Sequence, residues 1–353
     1  MELKIIINNK LSIVYISGFL RLSRHIIIVI VITFLILEIV GRILDPLGIS
    51  YYPEMAKYLD TMLIEEPLGY RNRPNLKGNF FGKSVSINSL GMRDREISVN
   101  PDNEFRILVM GDSVPYGIGV QFEESFPYQL ETILNSDSNN RHFRTLNMGV
   151  PSYNTEQELL LLKTLGISLQ PQLAILLFSS NDIEPKMWVF DKRRSWYANL
   201  IQRSYAASLL YILYRELKKV LADKGLLLAQ RLISPANAGQ ISFHEYNLAS
   251  DRWKAIDQSL TAMNALLRQR GIPFVLFTNQ ELPHILTLLH SVADREKFPV
   301  INLTPWLSPR WRFEEPRKYT NSYVDGHPNP AGHFILATLI AENLRELDVL
   351  GLP

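Results

Sequence analysis

The chain has 353 residues and sets 37 Lys and Arg against 35 Asp and Glu, a balance that excludes nucleic-acid binding by bulk charge. Charged residues make up 20% and hydrophobic ones 46%, an apolar lean for a length that suits one large domain with additions or two modest ones. Cysteine is absent, which removes disulfides, thiol nucleophiles, Cys-ligated zinc or iron–sulfur centres and a lipidated N-terminal cysteine.

The first apolar surplus lies near the start. Ile26 to Leu37 carries no charge and the apolar character runs on through Val40, with Arg21, Arg24 and Arg42 placed to snorkel toward headgroups. The pattern predicts a membrane-spanning helix over 26–43. A cleaved leader fits less well, because more than twenty residues precede the run and no small-x-small site follows it. Lys4, Lys10, Arg21 and Arg24 precede the segment, whereas only Arg42 and Lys57 follow closely. The positive-inside rule then makes 1–25 a cytoplasmic tail and puts the rest of a single-pass, inner-membrane protein outside the cytoplasm.

From 44 to 104 the sequence reads as a connector and preface, broken by Pro46, Pro53, Pro67, Pro74 and Pro101. Lys83 to Asn88 is strand-like and available to pair with the body. Gly78-x-x-x-Gly82-Lys83-Ser84 is one residue short of a phosphate-binding loop and follows no clear strand.

After Glu104 a regular alternation begins, and 105–353 reads as one domain. Strands are expected at Arg106–Met110, Arg144–Met148, Leu173–Phe178, Pro273–Thr278 and Pro299–Leu303, each a short apolar run between turn residues. Helical patterns fill the intervals, at Glu124–Leu134, Glu156–Leu165, about 195–270, Leu282–Lys297 and Pro330–Leu347. Strand–helix alternation with continuously apolar strands predicts an α/β fold: a three-layer α/β/α domain around a parallel five-stranded sheet.

Chemistry in such sheets gathers at the carboxyl edge of the strands. The first strand is followed by Gly111-Asp112-Ser113, the second by Asn147-Met148-Gly149, the third by Ser179-Ser180-Asn181-Asp182, and the last helix is preceded by Asp325-Gly326-His327. A serine hydroxyl becomes a nucleophile when a histidine takes its proton and a carboxylate fixes that histidine's tautomer. Ser113, His327 and Asp325 supply these three roles. The Ser113 and Gly149 amides and the Asn181 side chain supply oxyanion donors. Each residue alone also fits a bland reading: a helix cap, a turn glycine, an Asx turn, a surface histidine. His333 is a rival base without an acid two or three residues before it. Gly-x-Ser-x-Gly is absent at Ser113, Gly117-x-Gly119 lacks the third glycine of a dinucleotide fingerprint, and the histidines have no zinc spacing, so no metal and no cofactor are expected.

These four strand-end groups resemble the four sequence blocks of the SGNH/GDSL hydrolase superfamily over about residues 105–350. Asn88-Ser89-Leu90-Gly91-Met92-Arg93-Asp94-Arg95-Glu96 is similar to the stretch before the nucleophile in membrane-anchored members. The resemblance implies a flavodoxin-like sheet, catalysis by Ser113, His327 and Asp325, and an oxyanion hole from Ser113, Gly149 and Asn181. Two positions depart from the pattern: Ser179 stands where the family usually has Gly, and the acid precedes His327 by two residues rather than three. The family's activities include ester hydrolysis, carbohydrate deacetylation and, in some membrane-associated polysaccharide systems, acyl transfer. The expected function is therefore a membrane-anchored serine esterase acting on O-acetyl or short acyl esters of an extracytoplasmic glycan or lipid. An O-acyltransferase and a non-catalytic scaffold of a polysaccharide assembly are the alternatives.

A second surplus lies at about 183–250, longer than a crossover requires, basic at Lys192, Arg193 and Arg194 and rich in Trp and Tyr. It reads either as a helical insertion packed on the body or as a rim contacting anionic headgroups or an acidic glycan.

Overall fold

The computed structural model describes residues 2–45, 48–98, 103–136, 141–183, 200, 203–214, 217, 238–279, 283–307, 318–322 and 325–351. The chain opens on one long helix, α1 (Glu2–Leu44). Its Arg21–Leu44 portion, 24 residues of mean hydropathy 2.8, is long and apolar enough to cross a membrane, and none of that stretch is buried against the protein.

A short helix, α2 (Tyr51–Leu59), and a hairpin of β1 (Lys77–Phe80) with β2 (Lys83–Ser86) follow. The hairpin turns at Phe81 and Gly82, both with positive φ, the backbone of a type I′ turn. Gly78 to Ser84 is thus a hairpin. The strand-like stretch at Lys83 pairs antiparallel with Lys77–Phe80 and not with the main sheet.

The main sheet contains β3 (Glu104–Gly111), β4 (His142–Asn147), β5 (Leu173–Phe178), β6 (Phe274–Thr278) and β7 (Val300–Asn302), all parallel, in the spatial order β4-β3-β5-β6-β7. Numbered from β3, this is the 2-1-3-4-5 order of flavodoxin-like sheets, which opens a crevice where chain direction reverses around the first strand. The helices are α3 (Ser113–Tyr116), α4 (Phe126–Ser136), α5 (Thr155–Thr164), α6 (Tyr205–Tyr214), α7 (Ala238–Arg268), α8 (Pro283–Glu296) and α9 (Pro330–Glu346).

Alternate strand residues feed two cores. Ile107, Val109, Ile175, Leu177 and Val275 pack with α4 and α9 through Leu130, Leu336 and Ile340. Leu108, Met110, Leu146, Leu176 and Leu276 pack on the other face with α5, α7 and α8 through Leu162, Leu260 and Leu289. Tyr58, Leu68, Tyr70, Phe80, Val85 and Met92, from the segment between α1 and the main sheet, belong to that second core, so this segment folds onto the body. Helix α7 begins inside the expected insertion and continues as the helix that covers the sheet, burying Ile256, Leu260, Met263 and Leu267. Lys192, Arg193 and Arg194 lie outside the described residues.

Candidate active site

Strand β3 ends at Gly111, whose φ of +143° and crowded surroundings require glycine: a Cβ there would come within 2.6 Å of Pro115 Cγ and 3.1 Å of the Leu177 carbonyl oxygen. The chain then turns sharply into α3. Asp112 caps the turn by accepting the Val114 N–H at 3.1 Å. Ser113 is the first residue of the turn, 8% exposed, and its own N–H has no acceptor among the described residues. Arg93 braces the turn from beneath. Its guanidinium is buried and donates to the carbonyls of Tyr116 (3.1 Å), Gly117 and Val120 (2.6 Å). Next to it, buried Arg144 bridges Asp94 (2.7 Å) and Glu131 (3.2 Å), which satisfies charges that would otherwise be costly to bury. The 88–96 segment thereby joins the nucleophile turn to the β4 edge.

His327 and Asp325 come from a loop before α9 that folds back on itself, with Asn321 N–H donating to the His327 carbonyl at 2.9 Å and Asn329 N–H to that of Tyr319 at 3.0 Å. His327 Nε2 lies 2.7 Å from Ser113 Oγ, and its Nδ1 lies 2.5 Å from Asp325 Oδ1. The tautomer consistent with both contacts has Nδ1–H donating to Asp325 and Nε2 accepting from the serine hydroxyl. The two-residue spacing works because Asp325 Oδ1 also accepts the backbone N–H of His327 at 3.1 Å, so ring and backbone converge on one oxygen. The other oxygen, Oδ2, accepts from Asn321 Nδ2 at 3.1 Å, and the same amide donates to the Ile118 carbonyl at 3.1 Å.

Two participants carry no sequence signal. Asn321 stands in a stretch without periodicity. Tyr51, at the start of α2, places its ring 5.5 Å from the His327 ring, at 40°. Burial and the nearby Asp325 raise the Tyr51 hydroxyl above its ordinary range, so it stays neutral. Asp45, Tyr51, Lys83, Asn321 and Asp325 line a cleft of about 430 Å³. The rival base, His333, is fully buried in α9; its Nδ1 accepts the Phe126 N–H at 3.0 Å, and burial holds its pKa down to about 3. It is a neutral core histidine.

The oxyanion side differs from the expectation in one respect. Gly149 is indeed closely approached, since a Cβ would meet the Tyr116 nitrogen at 2.2 Å, but its N–H donates to Asn147 Oδ1 at 2.9 Å and does not face the crevice. Three residues on, Ser152 adopts the left-handed conformation with φ +64°, and its N–H has no acceptor among the described residues. Asn181 is in the short helix Ser180–Ile183 after β5; its side chain lies outside the described residues. Its neighbour Asp182 is buried, accepting the Ser179 N–H at 2.7 Å and the Thr155 hydroxyl at 2.8 Å. Burial and Asp112 push Asp182 up to about 7, and burial with the nearby Asp182 and Asp112 raises Glu158 well above the usual carboxylate range.

Serine, imidazole and carboxylate in one hydrogen-bonded line at the carboxyl edge of a parallel sheet is the layout of a serine hydrolase. The chain belongs to the GDSL-like lipase/acylhydrolase family, whose sequence profile matches residues 109–335. Similar solved structures include the two-domain esterase CEX, active on acetylated mannans (13% identity over 69% of this chain and 50% of that one, TM-score 0.42), and TesA (16% identity, 69% and 99%, TM-score 0.41). A GDSL-like lipase from Bacteroides thetaiotaomicron is another (15% identity, 71% and 93%, TM-score 0.40). The chain spans half the length of the two-domain esterase. No curated protein sequence matches it.

Proposed function

We propose that the protein is a membrane-anchored serine esterase that cleaves O-acetyl or short acyl esters of an extracytoplasmic glycan or lipid. The observation that carries this reading is the line from Ser113 Oγ through His327 to Asp325, with spacings of 2.7 and 2.5 Å. Ser113 Oγ attacks the ester carbonyl while His327 Nε2 takes its proton, and Asp325, held by Asn321, stabilises the imidazolium. Collapse of the tetrahedral intermediate expels the alcohol, which receives that proton, and leaves an acyl-serine. Water, deprotonated by His327, then releases the acid and restores Ser113. The oxyanion is held by the Ser113 N–H, the Asn181 side chain and, in place of Gly149, the Ser152 N–H. Extracytoplasmic placement rests on the excess of Lys and Arg before the anchor.

Turnover of p-nitrophenyl acetate by the purified full chain tests the reading. Ser113→Ala and His327→Ala should each lower kcat by about 10³-fold or more. Unchanged turnover in Ser113→Ala overturns it. Following the acetyl group, with and without an added glycan, separates release to water from transfer to a sugar hydroxyl.

A further inference from the structure

Helix α6 is anchored at one end and bare along the rest. Its first turn is fastened to the last two turns of α1: Glu38 accepts from Ser204 Oγ at 2.7 Å and Ala206 N–H at 2.9 Å, Arg42 Nη2 donates to the Arg203 carbonyl at 2.6 Å, and the Tyr205 ring fills the space over Gly41. Ser204 to Ser208 are buried there. Beyond that turn the helix exposes large apolar side chains, with Leu210, Leu213 and Tyr214 between 52% and 60% exposed. Their spacing of three and four residues puts them on one stripe of the helix. A stripe of this kind facing water is costly, because each large apolar side chain left unburied forgoes the gain of leaving water.

The place of this stripe says what covers it. Glu38 lies six residues before the end of α1, about 9 Å along the helix axis. Helix α6 therefore starts at the level where a span of Arg21–Leu44 would meet the headgroups. Apolar residues with tyrosines among them, beside an anchor, match the composition of interfacial helices, and Arg215, Lys218 and Lys219 follow next in sequence, as anionic headgroups would favour. On this basis, and resting on the anchor proposed above, we infer that α6 lies in the headgroup–acyl boundary of the bilayer with Leu210, Leu213 and Tyr214 among the lipid chains. The catalytic edge is then held at the membrane surface. The exit of the anchor already touches it: a Cβ on Gly48 would collide with Ser322, whose hydroxyl accepts the Asp325 N–H at 2.8 Å, and Tyr51 covers His327. Esters carried by lipid or by lipid-linked glycans in that surface are the substrates this orientation favours.

The absence of cysteine allows single-site labelling of the full chain. An environment-sensitive fluorophore is attached to Leu213→Cys, to Ile32→Cys in the anchor and to Gln269→Cys at the opposite, amino edge of the sheet, in phosphatidylcholine–phosphatidylglycerol vesicles. The expected result is that the Leu213 label loses most of its fluorescence to a shallow doxyl-lipid and little to aqueous iodide, whereas the Gln269 label does the reverse. Quenching of the Leu213 label by iodide alone overturns the inference, as does protection from both quenchers, which would mean that a second copy or another part of the chain covers the stripe. The Ile32 label reports on the anchor by itself: its failure to meet a deep doxyl-lipid overturns the anchor, whatever the Leu213 label shows.

Discussion

The ring of Tyr51 lies 5.5 Å from the ring of His327, so the segment that follows α1 forms one wall of the proposed catalytic site. This contact joins the segment after α1 to the proposed general base. It makes Tyr51 a positioning residue that shields the imidazole and its Asp325 partner from water, where the hydrogen bond between them is strongest.

Tyr51→Ala should therefore lower kcat on a small soluble ester by roughly tenfold, while Tyr51→Phe, which keeps the ring, stays near the parent. Equal turnover in all three proteins contradicts the shielding role.

Asn321 fixes the second oxygen of Asp325, so Asn321→Ala should reduce kcat by roughly tenfold with little change in KM. Gly119 faces this amide: its φ is +80°, and a Cβ there would lie 2.2 Å from Asn321 Nδ2. Gly119→Ala should act by displacing Asn321, and the double variant should be no slower than the slower single one. Additive losses would show that the two act separately.

The buried acids give the pH dependence of stability. Glu158 and Asp182 have raised pKa values, so the folded chain keeps protons that the unfolded chain releases near pH 4. Their contribution is fully present below about pH 4 and is lost as the pH climbs toward 7. His333 has the opposite sign: its folded pKa of about 3 lies below the unfolded value of about 6.5, so it costs stability as the pH falls through that interval. Glu158→Gln removes a member of the first group and leaves the second. The Tm of the variant minus that of the parent should rise between pH 5 and 8, by about 2–4 °C for each kcal/mol recovered. A difference that is flat with pH would show that the pair is not protonated in the fold.

His333 is assigned to packing and not to proton transfer. His333→Ala leaves a cavity and an orphaned Phe126 N–H, which should cost about 2–4 kcal/mol of stability. Below its lowered Tm the variant should still turn over ester with a kcat within a few-fold of the parent; complete loss in the folded variant would restore His333 as a base.

Much of this was legible in the sequence where local chemistry decides local structure. Leu173–Phe178 is continuously apolar and is the strand the sequence predicts, residue for residue, and Gly111-Asp112-Ser113 reads as a strand end because the turn needs glycine and a cap. Asp325 and His327 are legible because they are two residues apart in one loop. Tyr51 and Asn321 were not, since their roles arise from contacts across the fold that leave no period or motif behind. Proline at 46, 53, 67 and 74 suggested a loose connector, yet Tyr58, Tyr70 and Met92 are core residues, because turns between short elements do not prevent those elements from packing. Gly149 shows the limit of composition: the glycine marks a close backbone approach correctly, but the direction of its N–H is set by Asn147, and the left-handed backbone falls on Ser152 instead.

The most direct test of the central claim is covalent labelling of the full chain with a fluorophosphonate, read by peptide mass spectrometry. The account predicts a single adduct on Ser113 in the parent, none in Ser113→Ala, and labelling slowed by about 10³-fold in His327→Ala. An adduct of equal yield at another residue in Ser113→Ala, or a parent that takes no label, would contradict it.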